Sequence, residues 1–396
     1  MRVLAIAGRI PAVDRNGDQV ISYFRLTHLA RHNTVELICF GDSSKDDDAA
    51  AVAVLEGHGI VVHLIQWNMP LAALHVLMAL PDRSMPFQCA YFRSSAFAAA
   101  FSEVTARFTP DVLYSVMIRI LPNAPGYRGR LFVDMVDSMG LNFGRRATMQ
   151  RGLKGWLLGV EARRVAAFEK ATAERAERCY VVSRIDQQAI GSNHVGVLPL
   201  GIDMQRFQPS ATPITSPLLA FTGNMFYQPN VDAVLWFAEQ CWPAIKAAVP
   251  GVRLVIVGNA PQPSVVALGK QDSAIDVMGR VPSMAAILKT AAVAIAPMRS
   301  GSGMQFKILE AMACAVPVVA TTIGLGDIGA QAGTDIVIRD DGRDFAAAVI
   351  ELLGSPEKRD VIGRAGMKYV QQHHSWDAIN STFVDECGLL SSGTAT

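Results

Sequence analysis

The sequence predicts an α/β protein made of two tandem, doubly wound, Rossmann-like domains facing each other across a cleft. Three observations predict it. The chain has 396 residues, which at about 100–200 residues per domain suggests two or three domains. Short apolar runs alternate with longer helical patterns, the signature of β/α units on a parallel sheet. The alternation then restarts after Leu200–Pro217 (LGIDMQRFQPSATPITSP), whose Pro, Ser and Thr give it the composition of a linker.

In the first half, Val3–Ala7, Val35–Phe40, Ile60–Ile65, Val112–Val116, Leu131–Val136 and Cys179–Val182 read as strands. They are apolar on consecutive positions, as strands covered on both faces should be. Gln19–Arg31 and Trp156–Arg178 read as helices between them. In the second half the strands are Leu218–Thr222, Arg253–Val257, Ala274–Met278, Ala292–Ala296, Val316–Ala320 and Ile336–Ile338. These spans assign 1–204 to a first domain, 205–217 to the linker, 218–375 to a second domain, and 376–396 to a closing helix and tail. Ligands of such sheets bind beyond the carboxyl ends of the strands, and with two such domains the natural site is the cleft between them.

Composition narrows the function classes. Hydrophobic residues make up 51% of the chain and charged ones 18%, a poor match to a disordered protein. Lys and Arg total 36 against 35 acids, whereas a chain-wide nucleic-acid binder would be more basic. None of the six cysteines forms a CxxC pair, and a reducing, cytoplasmic setting is the simplest expectation. The apolar run in MRVLAIAGRIP is about six residues, shorter than the roughly 7–15 of a signal core, and reads as a buried strand. Leu71–Leu80, the longest greasy stretch, contains His75 and is too short to span a bilayer. Asp46–Asp48 reads as an acidic turn in a loop. His28 and His32, at i and i+4, read as part of a surface helix of the first domain, and His373 and His374 point apart, so no metal is expected.

The strongest chemical signal is PMRSGSGMQFKILEAMACAVPVVA, Pro297–Ala320. A strand ends at Pro297, a Gly-Ser-Gly loop follows, and a helix runs from about Met304 to Ala313. Gly301 and Gly303, around Ser302, allow close backbone approach to a ligand. The helix N-terminus suits phosphate, with Arg299 and Lys307 as flanking cations. Glu310, one turn beyond Lys307, is placed to accept hydrogen bonds from two vicinal ribose hydroxyls. A plain turn followed by a surface Lys307–Glu310 ion pair is the competing reading, and the position after a strand of a second α/β domain favours the phosphate site.

A second candidate lies in FVDMVD, Phe132–Asp137, where Asp134 and Asp137 end a strand. Asp137, followed by Ser138 and Gly140, is the better placed to orient or deprotonate an acceptor hydroxyl. A helix cap or turn aspartate is the alternative for either residue. The loop DRNGDQ, Asp14–Gln19, follows the first strand but lacks G-x-G-x-x-G, which argues against NAD or FAD there. Gly17 is either a phosphate-approach residue or a turn glycine.

Asn142–Arg178 carries nine basic residues against four glutamates, with Trp156, Leu157 and Leu158 interleaved. Together with Leu71–Phe97 this suggests a peripheral face for anionic lipid. A helix with a solvated charged face is the alternative.

The segment Pro297–Ala320 resembles the donor-binding motif of glycosyltransferase family 4, the retaining GT-B enzymes. It is most similar to the bacterial exopolysaccharide branch, with its GSG…KILEAMA…PVVAT pattern. Asn16–Gln19, Phe132–Ser138, Val181–Ser183 with Asp186, Leu198–Asp203 with Phe207, Phe221–Asn224 with Pro229-Asn230, and Ser375-Trp376 resemble further pieces of that branch, in order. The resemblance implies that Glu310 holds the donor ribose and that Gly301–Gly303, Met304 and the loop at Gly17 surround the diphosphate, with Gly223 and Asn224 opening the second domain. It implies a sugar transferase of hexosyltransferase type. The donor would be a nucleotide-sugar, the acceptor a glycan or a lipid-linked sugar, and no metal cofactor would be needed. Two departures stand out. Ser302 occupies the place of a second Glu, and Gly223–Tyr227 lacks the usual cations, which moves phosphate neutralisation to Arg299 and Lys307. A nucleotide-sugar 2-epimerase, or a non-catalytic nucleotide-sugar-binding protein, is the alternative function on the same architecture.

Overall fold

A computed structural model describes residues 1–389 apart from 14, 16, 83, 149, 151 and 301–304. The chain divides into two compact units, Met1–Pro199 with the chain from Asn380, and Leu200–Ile379.

The strands of the first unit are β1 (Arg2–Ala7), β2 (Thr34–Phe40), β3 (Ile60–Ile65), β4 (Val112–Val116), β5 (Arg130–Val136), β6 (Arg178–Val181) and β7 (Val195–Val197). Its helices are α1 (Gly17–Ala30), α2 (Asp46–Gly57), α3 (Met69–Met78), α4 (Phe87–Tyr91), α5 (Ser95–Phe108), α6 (Met139–Thr148), α7 (Gly152–Arg175) and α8 (Arg184–Ile190). Among the described residues the strands form one sheet in the order β3-β2-β1-β4-β5-β6-β7, every pair parallel.

The second unit repeats the winding. Its strands are β8 (Leu218–Thr222), β9 (Arg253–Val257), β10 (Ile275–Met278), β11 (Val293–Ala296), β12 (Val318–Ala320) and β13 (Val337–Ile338). Its helices are α9 (Gln228–Gln240), α10 (Trp242–Ala248), α11 (Pro263–Gln271), α12 (Met284–Leu288), α13 (Phe306–Ala313), α14 (Thr322–Leu325), α15 (Gly342–Gly354) and α16 (Pro356–His373). The sheet order is β10-β9-β8-β11-β12-β13, again parallel. A last helix, α17 (Trp376–Glu386), starts in the second unit and ends with the first.

Two-sided burial explains the unbroken apolar strands. In β8, Leu219 and Phe221 join one core cluster and Ala220 the other; in β9, Leu254 and Ile256 oppose Val255 and Val257 in the same way. The period of two along a strand thus feeds two cores, one beneath each layer of helices.

Several details differ from the sequence expectation. Asp46–Asp48 forms the first turn of α2 instead of a loop, where the carboxylates complement the helix dipole and Asp48 pairs with Arg15 at 2.8 Å. α7 starts at Gly152 and ends at Arg175, which leaves Arg178 to open β6. His28 is buried instead of facing solvent, because α1 also buries Ile21, Arg25, Leu26 and Leu29. The second unit begins at Leu200, with Ile202 and Phe207 in its core.

The most buried polar network lies in the first unit. Arg25, 1% exposed, and Asp134, 3% exposed, approach to 3.4 Å. The Tyr114 hydroxyl donates to the same carboxylate at 3.1 Å, and Arg25 donates to Asn380 Oδ1 at 2.6 Å. Asn380 in turn donates to the Phe24 carbonyl. The network seats the middle of α17, at Asn380, against α1. Breaking one side of a buried ion pair leaves an uncompensated charge, at a cost of about 3–5 kcal/mol. Asp134→Ala is therefore expected to lower the urea midpoint of the first unit's unfolding transition by an amount equivalent to that cost, with Asp111→Ala on the exposed edge as a near-neutral control.

Candidate functional site

In both sheets the strand order reverses beside the first strand of the unit, between β1 and β4 and between β8 and β11. The loops leaving these strands diverge there and open a crevice at the carboxyl edge. In the second unit a cavity of about 480 Å³ occupies this place, lined by Thr222, Gly223 and Asn224 after β8, Gly258 and Asn259 after β9, Arg280 after β10, and Lys307 and Glu310 of α13.

Two glycines make the crevice possible. A Cβ on Gly258 would lie 1.6 Å from the Gly223 carbonyl oxygen, and one on Gly223, whose φ is +157°, would lie 2.8 Å from the Asn230 amide nitrogen. The β8 and β9 loops therefore pack backbone to backbone, joined by the Met225 N–H donating to the Asn259 carbonyl at 3.0 Å. Asn230, 5% exposed, pins them from the first turn of α9. Its amide donates to the Asn224 carbonyl at 2.9 Å and its Oδ1 accepts from Lys307 Nζ. The Lys307 ammonium also lies 4.6 Å from the centre of the Phe221 ring and 3.4 Å from Met298 Sδ. The Thr321 hydroxyl holds the Met298 carbonyl and accepts from Gly324 N–H at 3.0 Å, which fixes the exit of β11.

The electrostatics of this edge are governed by loss of water. Burial pushes Lys307 down to about 7, against an opposing pull from Glu310. Burial pushes Glu310 up to about 7, opposed by Arg206 and Lys307. Lys307 and Glu310 form no ion pair within 4 Å, so the surface pair considered from sequence is not what the fold builds. Near neutrality both groups are poised to change charge. An anionic ligand with neighbouring hydroxyls would favour the ammonium on one and the carboxylate on the other.

Asn224 is exposed at the cavity rim, its Oδ1 accepting from Phe226 N–H. Arg299 stands exposed, 3.9 Å from Asp232, and is not among the described residues lining the cavity. Arg280, which sequence reasoning did not single out, lines it. Gly301, Ser302, Gly303 and Met304 lie outside the described residues. α13 begins at Phe306 with Gln305 as its cap. Gly17 is the first residue of α1, in the first unit, where a Cβ would meet nothing within 4 Å. Asn230 was visible only as part of a motif; its role depends on its contacts with the Asn224 carbonyl and Lys307.

The first unit gathers charge at its own carboxyl edge. Met117 after β4 and Val136 at the end of β5 have φ of 67° and 66°, conformations that non-glycine residues resist and that mark functional edges. Arg9 and Arg119 both bind Asp18, at 2.6 and 2.9 Å. Asp137, half-buried, accepts from Asn142 at 2.7 Å; burial and then Asp186 raise it to about 6. Glu169, raised to about 7 by burial, accepts from the Ser138 hydroxyl at 3.0 Å. Asp134 belongs to the buried network with Arg25. Among the described residues no three His, Cys, Asp or Glu side chains converge as a metal site.

Two Rossmann-like units in tandem, each with a parallel sheet, make the GT-B architecture. Solved structures share it along the whole chain. Anabaena HepE, crystallised with UDP, superposes with a TM-score of 0.68 over 98% of this chain and 100% of its own, at 14% identity. A sucrose-phosphate synthase from Thermosynechococcus elongatus gives 0.66 over 97% and 98%, at 16% identity. Residues 216–355 match the family of glycosyl transferases group 1. Among curated relatives, a GDP-mannose-dependent monoacylated alpha-(1-6)-phosphatidylinositol monomannoside mannosyltransferase of Corynebacterium glutamicum is 30% identical over 46% of this chain and 52% of its own length. A D-inositol 3-phosphate glycosyltransferase of Segniliparus rotundus is 25% identical over 46% and 44%. The chain spans about half the length of the curated relatives it matches. Residues 216–355 are thus similar to glycosyl transferases group 1, and the two units share the GT-B fold of these solved structures.

The two shifted groups predict the pH dependence of ligand binding. Lys307, with its pKa lowered to about 7, is an ammonium below pH 7 and loses its proton above. Affinity of this cavity for an anionic ligand is therefore expected to fall as pH rises from 7, by up to about tenfold per unit. Glu310, raised to about 7, is a carboxylate only above pH 7, so affinity also falls on the acid side. Titration calorimetry across this range should show an optimum near neutrality, with Lys307→Met removing the alkaline limb and Glu310→Gln the acid limb.

Proposed function

We propose that the protein transfers a sugar from a nucleotide-sugar donor to a glycan or lipid-linked acceptor, with retention of configuration, in the synthesis of an exopolysaccharide or another cell-surface glycan. The observation that carries this reading is the pairing of Lys307 and Glu310 at the switch-point cavity of the second unit. Donor binding there is in keeping with the family match of that unit and with the UDP and UDP-glucose bound by HepE.

In this reading Glu310 accepts hydrogen bonds from the two ribose hydroxyls, and protonated Lys307, with the first free N–H groups of α13, faces the diphosphate. Arg280 adds a cation that the loop after β8 lacks. The bond between the anomeric carbon and the β-phosphate oxygen breaks as the acceptor oxygen bonds to that carbon. The negative charge that develops on the leaving diphosphate is met by fixed positive groups already in place, so no metal is required. The acceptor proton passes to the leaving phosphate, and Asp137 orients the acceptor hydroxyl. The first unit takes the acceptor, and exclusion of water protects the activated sugar from hydrolysis.

The test is thermal stabilisation of the purified protein by UDP-, GDP- and ADP-sugars. One nucleotide class should raise the melting temperature selectively, and Glu310→Ala should abolish the shift. Stabilisation by none of the three, or an equal shift in the variant, would remove the donor site from this cavity.

A further inference from the structure

The first unit exposes apolar surface that none of the described residues covers. Helix α3 is apolar along nearly its whole length, yet Ala72 is its one buried residue. Met69, Leu74, Leu77 and Met78 are exposed, Met78 at 67%. At the start of α7, Leu153 is 72% and Trp156 62% exposed, with Leu157 beside them. Soluble proteins scatter such side chains singly; runs of them mark interaction surfaces.

These two patches belong to one face. Arg164 of α7 donates to the carbonyls of Ala79 at 3.1 Å, Leu80 at 2.9 Å and Met85 at 3.3 Å, and stacks over Phe87 at 4.4 Å. Glu161, one turn earlier, accepts from the N–H groups of Phe87 at 2.8 Å and Gln88 at 2.9 Å. The carboxyl end of α3 is thus strapped to the middle of α7. A groove of about 500 Å³ runs beside the strap, lined by Trp156, Val160, Arg163, Arg164 and Ala167.

The exposed charge on α6 and the first two-thirds of α7 has one sign. Between Met139 and Thr172 the acids are Glu161 and Glu169; both are buried and occupied by hydrogen bonds. The exposed charged residues described there are Arg145, Arg146, Lys154, Arg163 and Lys170. The modest excess of basic residues in the sequence therefore becomes a largely cationic rim once the fold withdraws these two glutamates, with Asp82 in the loop after α3 and Glu174 toward the end of α7 as exposed acids beside it. Apolar side chains at the centre, a tryptophan among them, and cations around them match the layering of an anionic bilayer surface, acyl chains below and phosphate headgroups above. No helix among the described residues is long and apolar enough to cross a membrane.

We propose that the face formed by α3, α6 and the first half of α7 docks on an anionic lipid bilayer, with Leu153, Trp156 and the outer side chains of α3 at the headgroup–acyl boundary and the groove beside Trp156 receiving a lipid chain. This stands independently of the donor site, since all its residues lie in the first unit.

The test is flotation of the full chain with phosphatidylcholine vesicles, with and without phosphatidylglycerol. The protein should partition onto the anionic vesicles and be released by salt. Leu153→Gln with Trp156→Gln should lower that partitioning at least roughly tenfold, as should Arg145→Ser, Arg146→Ser and Lys154→Ser combined. Brominated acyl chains should quench tryptophan emission in the wild type and not in Trp156→Phe. Circular dichroism and nucleotide-induced stabilisation serve as controls for folding and for the second unit. No partitioning onto anionic vesicles, or partitioning indifferent to both sets of substitutions, overturns the proposal. So does self-association in solution that the Leu153 and Trp156 substitutions abolish while vesicle binding is absent, which would assign the face to a second copy of the chain.

Discussion

Parallel pairing requires every strand to be followed by a crossover that carries the chain back to the far edge of the sheet. All strand pairs in both units obey it. The consequence is a division of labour between the two edges. Carboxyl edges collect the loops and helix N-termini that can meet a ligand, and faces are given over to packing. The crevice forms where successive crossovers leave in opposite directions, beside β8 in the second unit and β1 in the first. Gly223 and Gly258 then decide how closely the β8 and β9 loops approach, because neither position has room for a side chain.

What the crevice does with charge follows from desolvation. Arg299, exposed to water, is held only loosely near Asp232. Lys307 and Glu310 are shifted in opposite directions toward the same value by burial. Groups so desolvated are costly to keep charged, and perturbed pairs of this kind cluster at functional sites. The first unit uses the same device at Asp137 and Glu169, with neighbouring carboxylates adding to the burial. The same edge carries backbone strain, with positive φ at Met117 and Val136.

The strands were legible in the sequence because two-sided burial leaves consecutive apolar residues, and the restart of the pattern after Leu200 announced the second sheet. β7 escaped notice because three residues centred on Gly196 carry too little pattern. The acids at Asp46–Asp48 read as a loop turn because a run of charges carries no helical period, whereas they form the first turn of α2. In the site, Lys307 and Glu310 were legible from spacing on one helix. Asn230 and Arg280 were not, because they reach the cavity from α9 and from the loop after β10, and such convergence is a property of the tertiary fold. Arg299 was drawn into the expected phosphate site by sequence proximity to the glycines, while its side chain lies outside the described lining. The basic excess near Trp156 was legible as composition, but its concentration on the surface depends on the burial of Glu161 and Glu169.

We propose that the second unit's crevice activates a nucleotide-sugar for transfer. The most direct measurement is release of nucleoside diphosphate from a panel of nucleotide-sugars, with and without a glycolipid extract as acceptor. The account predicts release from one donor, dependent on the extract, with label moved into the glycolipid fraction and lost in Lys307→Met. Conversion of the donor to an epimer without any acceptor, or release that Lys307→Met leaves unchanged, would contradict it.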